Sequence, residues 1–278
     1  MLSKPLGGHA LAAVELTAVK GDRQTVIVLG ASNVSRGLAR LVATVRSRAV
    51  APADLFVAAG HGRAYGVNSR VWMRRLPSIL ACGLWQSIAE NASENITPPV
   101  AIMTDVGNEL LYGLGVTQVA GAVREAVRRL ADRGVMIAIT GLPLASIASV
   151  GPVRYQALRT AFVPGCQLPL PMLKQAAVWL DDELRAIAAA VGGTFIEQPR
   201  DWYGLDAIHL RRRCIDRLWR EVADAWNWPT AARPSRASVR EWTAIASRAA
   251  ETRSLARVML HTPQPAWRSH DGLRLWLY

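Results

Sequence analysis

Lysine is almost missing from this 278-residue chain, occurring only at Lys4, Lys20 and Lys174. The formal net charge of +12 is therefore carried nearly all by arginine. Arg124, Arg128, Arg129 and Arg133 recur at spacings of three and four, and Arg211, Arg212, Arg213, Arg217 and Arg220 form a second group. Such spacing describes solvated helix faces. No helix-turn-helix, zinc or RNP pattern accompanies the charge, so nucleic acid is not the expected partner. Cysteine is scarce as well. Cys82, Cys166 and Cys214 are odd in number and widely spaced, which excludes a disulfide framework and a metal-ligand cluster and leaves buried free thiols. No apolar run reaches the roughly 18 residues of a membrane span. Glu15 interrupts the one early apolar stretch, which makes a poor secretory signal. On these grounds the chain reads as cytoplasmic.

About half of the residues are apolar, 51%, enough for a substantial core. Five short apolar runs stand out: Gln24–Leu29, Asp54–Ala59, Val100–Thr104, Val135–Thr140 and Thr194–Glu197. Helical periodicity fills the spaces between them, most clearly at Val116–Arg133, Lys174–Val191 and Arg211–Trp226. Continuous apolar strands alternating with helices predict a parallel sheet with helices on both faces. Three regions follow: an extension over 1–22, an α/β domain over 23–228 and a C-terminal extension over 229–278, helical near 235–250. Residues 141–173, rich in Pro and Gly, read as a long loop placed to line or cover a pocket. The tryptophans, Trp72, Trp85, Trp179, Trp219, Trp226 and Trp228 among them, read as helix packing and core.

In such a sheet, chemistry gathers at the carboxyl ends of the strands. The first strand ends in "LGASN" with Ser32, and the second in "AAGHGRAYG" with Gly60, Gly62 and Gly66. The third ends in "TDVGNELLYG" with Asn108, and the fifth is followed by "DWYGLDAIHL" with Asp206 and His209. Taken singly, Ser32 suits a helix cap, Asn108 a turn, and Asp206–His209 an ion pair at a helix start. Taken together they supply what acyl transfer needs: a hydroxyl nucleophile, an imidazole base, a carboxylate to orient it, and donors for an oxyanion. Asp105 and Asp201 are left over as spare carboxylates, Asp105 ending its strand. His61 and Arg63 flank Gly62 and could meet an anionic or hydroxylated substrate, while Tyr112 and Tyr203 flank the site. A dinucleotide site fits poorly. The first turn offers only Gly30 and Gly37, and the second strand ends in "FVAAGHG" with no carboxylate for a ribose.

These blocks resemble those of the SGNH hydrolases, the GDSL-type esterase, lipase and acylhydrolase family. The nucleophile block, Gly-Asp-Ser-(Asn or Leu) there, is Gly30-Ala31-Ser32-Asn33 here. Gly-x-Asn-Asp is matched by Gly107-Asn108-Glu109, and Asp-x-x-His by Asp206-Ala207-Ile208-His209. The match runs in order over residues 24–226, with Ala31 and Glu109 as departures. The resemblance implies a flavodoxin-like three-layer α/β/α fold with a five-stranded parallel sheet and neither metal nor cofactor. It implies Ser32 as nucleophile, His209 as base, Asp206 as its partner, and an oxyanion site of Ser32, Gly62 (or Gly66) and Asn108. The implied activity is hydrolysis of a small-molecule or carbohydrate ester through an acyl-enzyme. An acyltransferase on the same site, or a degenerate binding and assembly module, are the alternatives that the sequence leaves open.

Overall fold

The computed structural model describes residues 22–71, 73–91, 97–163, 165–231 and 238–278. In chain order the elements are β1 (Gln24–Leu29), α1 (Ser32–Arg48), β2 (Ala53–Ala58), β3 (Ser69–Val71), β4 (Arg74–Leu76), α2 (Leu84–Asn91), β5 (Val100–Met103), α3 (Asn108–Leu111), α4 (Val116–Ala131) and β6 (Met136–Thr140). They continue with α5 (Leu144–Ala148), α6 (Pro152–Phe162), α7 (Leu170–Ala190), β7 (Thr194–Ile196), α8 (Ile215–Ala225), α9 (Val239–Ala246), β8 (Thr252–Leu255), β9 (Val258–His261), β10 (Trp267–Arg268) and β11 (Arg274–Leu277).

The central sheet has the order β10-β11-β2-β1-β5-β6-β7, and every pairing in it is parallel except β10 with β11. The five strands expected from the sequence form its body. Counted among themselves they run 2-1-3-4-5, the flavodoxin-like winding. Because strand side chains alternate in direction, the sheet feeds two cores. Val26, Val28, Leu55, Val57 and Ile102 face α1 and α8. Ile27, Leu29, Phe56, Met103 and Ile139 face α2, α4 and α7. These are the three layers of an α/β/α fold. The apolar stripe of α8 (Ile215, Leu218, Trp219, Val222 and Ala223) is buried at helical spacing. Gly37 lets α1 approach it, since a Cβ there would lie 2.7 Å from Ile215 Cγ2.

The sheet is wider than the five expected strands. β11 adds to β2 in parallel and β10 to β11 in antiparallel fashion, both from residues read as an extension. A second sheet, β3-β4-β8-β9, joins that same region to the loop after β2. The run "RLWL" is too short to stand out as a strand, and its partner lies some 220 residues away in sequence. Of the helix expected near 235–250, α9 is present, while 235–237 lie outside the described residues, as do Trp72 and residues 1–21 of the N-terminal extension. Residues 141–173 are not a loop. They hold α5, α6 and the first turn of α7, with Pro152 and Pro171 in the opening turns of their helices. There a missing N–H costs nothing, so proline marks helix starts as readily as loops. All three cysteines are buried and free. Of the tryptophans, Trp219, Trp226 and Trp228 are core residues and Trp179 is exposed. Arg128 and Arg129 hold Glu125, and Arg217 holds Asp201, on exposed helix faces. Among the described residues no helix is long and apolar enough to cross a membrane.

The added edge is held by one carboxylate and one aromatic pair. Asp54 of β2, 1% exposed, accepts from Arg23 and from Arg274 of β11. Burial alone would raise its pKa, but the hydrogen bonds from Arg274 and Arg23 hold it below the ordinary carboxylate range. Trp276 stacks on Phe56, with ring centroids 4.5 Å apart.

Two outcomes follow. Trp276→Ala lowers the unfolding free energy by about 3–5 kcal/mol, read as the urea midpoint multiplied by the slope. The folded pKa of Asp54 lies below its unfolded value of about 3.9. The stabilisation is therefore complete above that value and is lost as pH falls through the folded pKa. In Asp54→Asn the urea midpoint is lower at neutral pH and its fall on the acid side is shallower. An unchanged acid limb would remove Asp54 from this role.

Candidate active site

The crevice of a flavodoxin-like sheet opens where the winding reverses, here between β1 and β5. Ser32 follows β1 and Asp105 follows β5. α1 begins at Ser32, and its N-cap residue, Ala31, has no side chain able to cap. The first N–H groups of a helix lack intrahelical partners. Asp105 supplies the missing acceptor from across the crevice. Its Oδ2 accepts from the backbone N–H of Ala31 (3.0 Å), Asn33 (2.8 Å) and Val34 (3.4 Å). Its Oδ1 accepts from Asn33 Nδ2 at 2.7 Å. The N–H of Ser32 is passed over and has no partner among the described residues. Asp105 itself takes a left-handed conformation, φ 57°, which Asp tolerates better than most residues.

Asn33 carries the turn to a third segment. Its Nδ2 also donates to the carbonyl oxygen of Ile208 (3.0 Å), and its Oδ1 accepts from Leu210 N–H (2.9 Å). These are the two neighbours of His209. A bridge between Tyr203 and Leu210 closes the loop bearing the histidine. Inside it, Asp206 Oδ1 accepts from the N–H of Ile208 (3.1 Å) and His209 (3.2 Å), and Oδ2 contacts His209 Nδ1. Burial opposes the charge on Asp206, but the His209 ring and the two backbone donors hold its pKa below the ordinary range. Phe162, at the end of α6, stands edge-on to the imidazole, centroids 5.9 Å apart. The hydroxyl of Ser32 makes no hydrogen bond among the described residues.

Asn108 opens α3. Its Nδ2 donates to the carbonyl oxygen of Arg63 at 2.9 Å, which leaves its second amide hydrogen free. Ser32, Asp105 and Asn108 line one cavity of about 90 Å³ with Leu142, Ile147 and Leu173. The segment 141–173 thus contributes to the pocket wall as expected, though as helices. Of the three glycines, Gly62 lies beside the Arg63 carbonyl that Asn108 holds, has φ 68°, and has its own carbonyl oxygen bound by Tyr112 OH. Beyond Gly66, the buried carboxyl of Glu109 accepts from the N–H of Tyr65 and is pushed up by desolvation, and a Cβ on Gly66 itself would meet Ala122. A Cβ on Gly60 would meet Leu76.

Arg63 does not face a substrate. It is 1% exposed, and its guanidinium donates to the carbonyl oxygens of Tyr278 and Ala59. Burial lowers its pKa. Asp105 is far from spare, and Asn33 was given no role from the sequence. The only hint of either was position, directly after a strand that carries site residues. Among the described residues no three His, Cys, Asp or Glu side chains come together as metal ligands would.

No protein-family model matches this chain, and no curated protein matches it. It is similar to solved structures of esterases. One is Est24, a carbohydrate acetylesterase from Sinorhizobium meliloti, at 12% identity over 73% of this chain and 98% of that one, TM-score 0.48. Another is the psychrotrophic esterase EstA from Pseudoalteromonas sp., at 12% identity over 73% and 98%, TM-score 0.44. A third is a member of the lipolytic protein G-D-S-L family from Veillonella parvula, at 14% identity over 73% and 95%, TM-score 0.43.

Asp105→Ala leaves several donors of the Ser32 turn without an acceptor. The expected cost is about 1.5–3 kcal/mol of unfolding free energy, measured by urea denaturation. Asp105→Glu, which keeps the charge but not the reach or the left-handed preference, recovers only part. A loss below about 0.5 kcal/mol in Asp105→Ala, the usual scatter of surface substitutions, would refute the capping role.

Proposed function

We propose that this protein is a serine hydrolase of carboxylic esters. The observation that carries the reading is the Asn33 side chain, which holds the residues on both sides of His209 against the turn that presents Ser32. A merely structural Asp–His pair would have no need to be fastened to a serine at a helix mouth.

In this reading Ser32 attacks the ester carbonyl while His209 accepts the hydroxyl proton. Asp206 accepts from Nδ1–H and holds the proton there, so that Nε2 is the basic nitrogen. The tetrahedral oxyanion takes its donors from Ser32 N–H, Gly62 N–H and the free amide hydrogen of Asn108. Two features support this set. The Asp105 carboxylate leaves the Ser32 N–H unclaimed, and the Gly62–Arg63 carbonyls are fixed by Tyr112 and Asn108. His209 then protonates the leaving alcohol, and a water, activated by the same imidazole, clears the acyl-enzyme. The cavity at Ser32, about 90 Å³ and walled by Leu142, Ile147 and Leu173, suits a short acyl chain, being about three times the volume share of one water.

A fluorophosphonate probe tests the nucleophile. The expected result is stoichiometric labelling of wild type and none of Ser32→Ala, with the modified peptide containing Ser32. Asn108→Ala is expected to lower kcat on an aryl acetate by about 10²–10³. Labelling that persists in Ser32→Ala, or folded wild type that neither labels nor hydrolyses aryl acetates, overturns the proposal in favour of a binding module.

A further inference from the structure

A second cavity, of about 370 Å³, opens on the other part of α1, against the C-terminal region. It shares no lining residue with the cavity at Ser32. Its walls come from α1, the loop after β2, β4, α9 and the start of β8. Arg36, His61, Arg74, Arg248 and Arg253 line it, and among the described residues no Asp or Glu side chain does. Elsewhere on the protein, arginines such as Arg23, Arg46, Arg48 and Arg274 hold carboxylates. Among the described residues none of the four cleft arginines has one.

The cleft is built rather than incidental. Arg74 and Arg253 are both half-buried. The Arg253 guanidinium is aimed by Thr262 Oγ1 (2.9 Å) and the Ala250 carbonyl oxygen (3.2 Å). Arg74 Nη2 reaches the carbonyl oxygen of His61 at 3.5 Å. Burial and the facing Arg253 cation lower the pKa of Arg74, as expected for like charges brought together without an anion. His61 is depressed in the same way, by burial first and then by Arg74, with His209 and Arg36 also acting on it. The floor is apolar, with Val57, Leu76 and Leu277.

The cleft lies beside the reacting centre. Arg36 follows Ser32 by four residues, on the same face of α1 and about 6 Å along it. His61, on the cleft wall, feels the charges of His209 and Asp105. We infer that this cleft binds an anionic group, phosphate or carboxylate, carried on the alcohol half of the ester, with Arg36, Arg74, Arg248 and Arg253 as its ligands. The inference rests on the ester-hydrolase reading for the word "ester" and on the cleft alone for the anion. The size agrees: pockets for small ligands begin near 300 Å³. Arginine presents a fork that matches both phosphate and carboxylate oxygens.

Two measurements test it separately from catalysis. In the first, Ser32→Ala protein is titrated calorimetrically with glucose 6-phosphate, glucuronate and glucose. The expected result is that one or both anionic sugars bind at least tenfold tighter than glucose. Which of the two does so tells phosphate from carboxylate. Arg36→Gln, at an exposed side chain with no partner among the described residues, is expected to weaken that binding about tenfold in the Ser32→Ala background, as is Arg74→Gln. In the second, wild type is assayed with 4-acetoxybenzoate and its methyl ester. The ratio of kcat/KM for the anionic over the neutral ester is expected to exceed one and to fall about tenfold in Arg36→Gln. Equal binding of all three sugars together with a ratio near one that the arginine substitutions do not move overturns the inference while leaving the esterase intact. Anion binding that Arg36→Gln and Arg74→Gln weaken, in a wild type that hydrolyses neither ester, upholds the cleft and sinks the esterase.

Discussion

One carboxylate organises this molecule's working edge. Asp105 sits where the sheet reverses its winding and accepts hydrogen bonds from the mouth of α1, a helix whose own cap residue, Ala31, can offer nothing. A helix start normally draws its acceptor from the residue just before it. Here the acceptor arrives from the neighbouring strand, 74 residues away in sequence. The cap therefore does two jobs, satisfying the helix dipole and fixing the distance between the ends of β1 and β5. Asn33 bonds to the same carboxylate and to the segment that bears His209. Three loops with no sequence proximity are joined through six hydrogen bonds made by the side chains of Asp105 and Asn33.

That arrangement gives physical meaning to a departure from the Gly-Asp-Ser pattern. With Ala at position 31, no carboxylate stands beside the serine along the chain, yet one stands on the same helix mouth in space. Asp105 bonds to the N–H groups on either side of Ser32 and not to that of Ser32. A negative charge placed there stabilises the helix start. It also leaves the serine's own N–H pointing away from competition. Glu109, the other departure, is buried and meets the backbone N–H of Tyr65. It acts within the wall behind Asn108, where a shorter side chain would not span the same gap.

The parts of the fold visible in the sequence are those whose signal is local. β1, β2, β5, β6 and β7 are continuous β-branched or apolar runs because helices cover both faces, and each falls within a residue or two of its expected bounds. α4, α7 and α8 show their buried stripe directly. What stayed hidden depends on remote partners. The run 274–277 becomes a strand because β2 offers it an edge and Asp54 a charge. β3, β4, β8 and β9 are short and largely exposed, the first three bear arginine, and no alternation betrays them. The prolines of 141–173 carried a correct message about breaks in structure and a misleading one about what followed. For the site, Asp206-Ala207-Ile208-His209 was readable because all its partners lie within four residues. Asp105 was passed over because its role exists only once β5 lies beside β1.

The C-terminal region is integral to the central sheet and to the loops at its edge, not an appendage. β11 covers the edge of β2, a strand that would otherwise expose unpaired backbone groups. The carbonyl oxygen of Tyr278, just past β11, holds the buried Arg63 side chain, and the Arg63 carbonyl in turn holds Asn108. A guanidinium with 1% exposure and no Asp or Glu partner among the described residues is costly to bury. It persists because its two ends link the closing strand to the loop that carries Gly62. The same region contributes Arg248 and Arg253 to the basic cleft. Sheet closure, loop placement and cleft charge thus depend on one segment, so a change that loosens β11 must reach the loop of Gly62 and the cleft together, however far from Ser32 it is made.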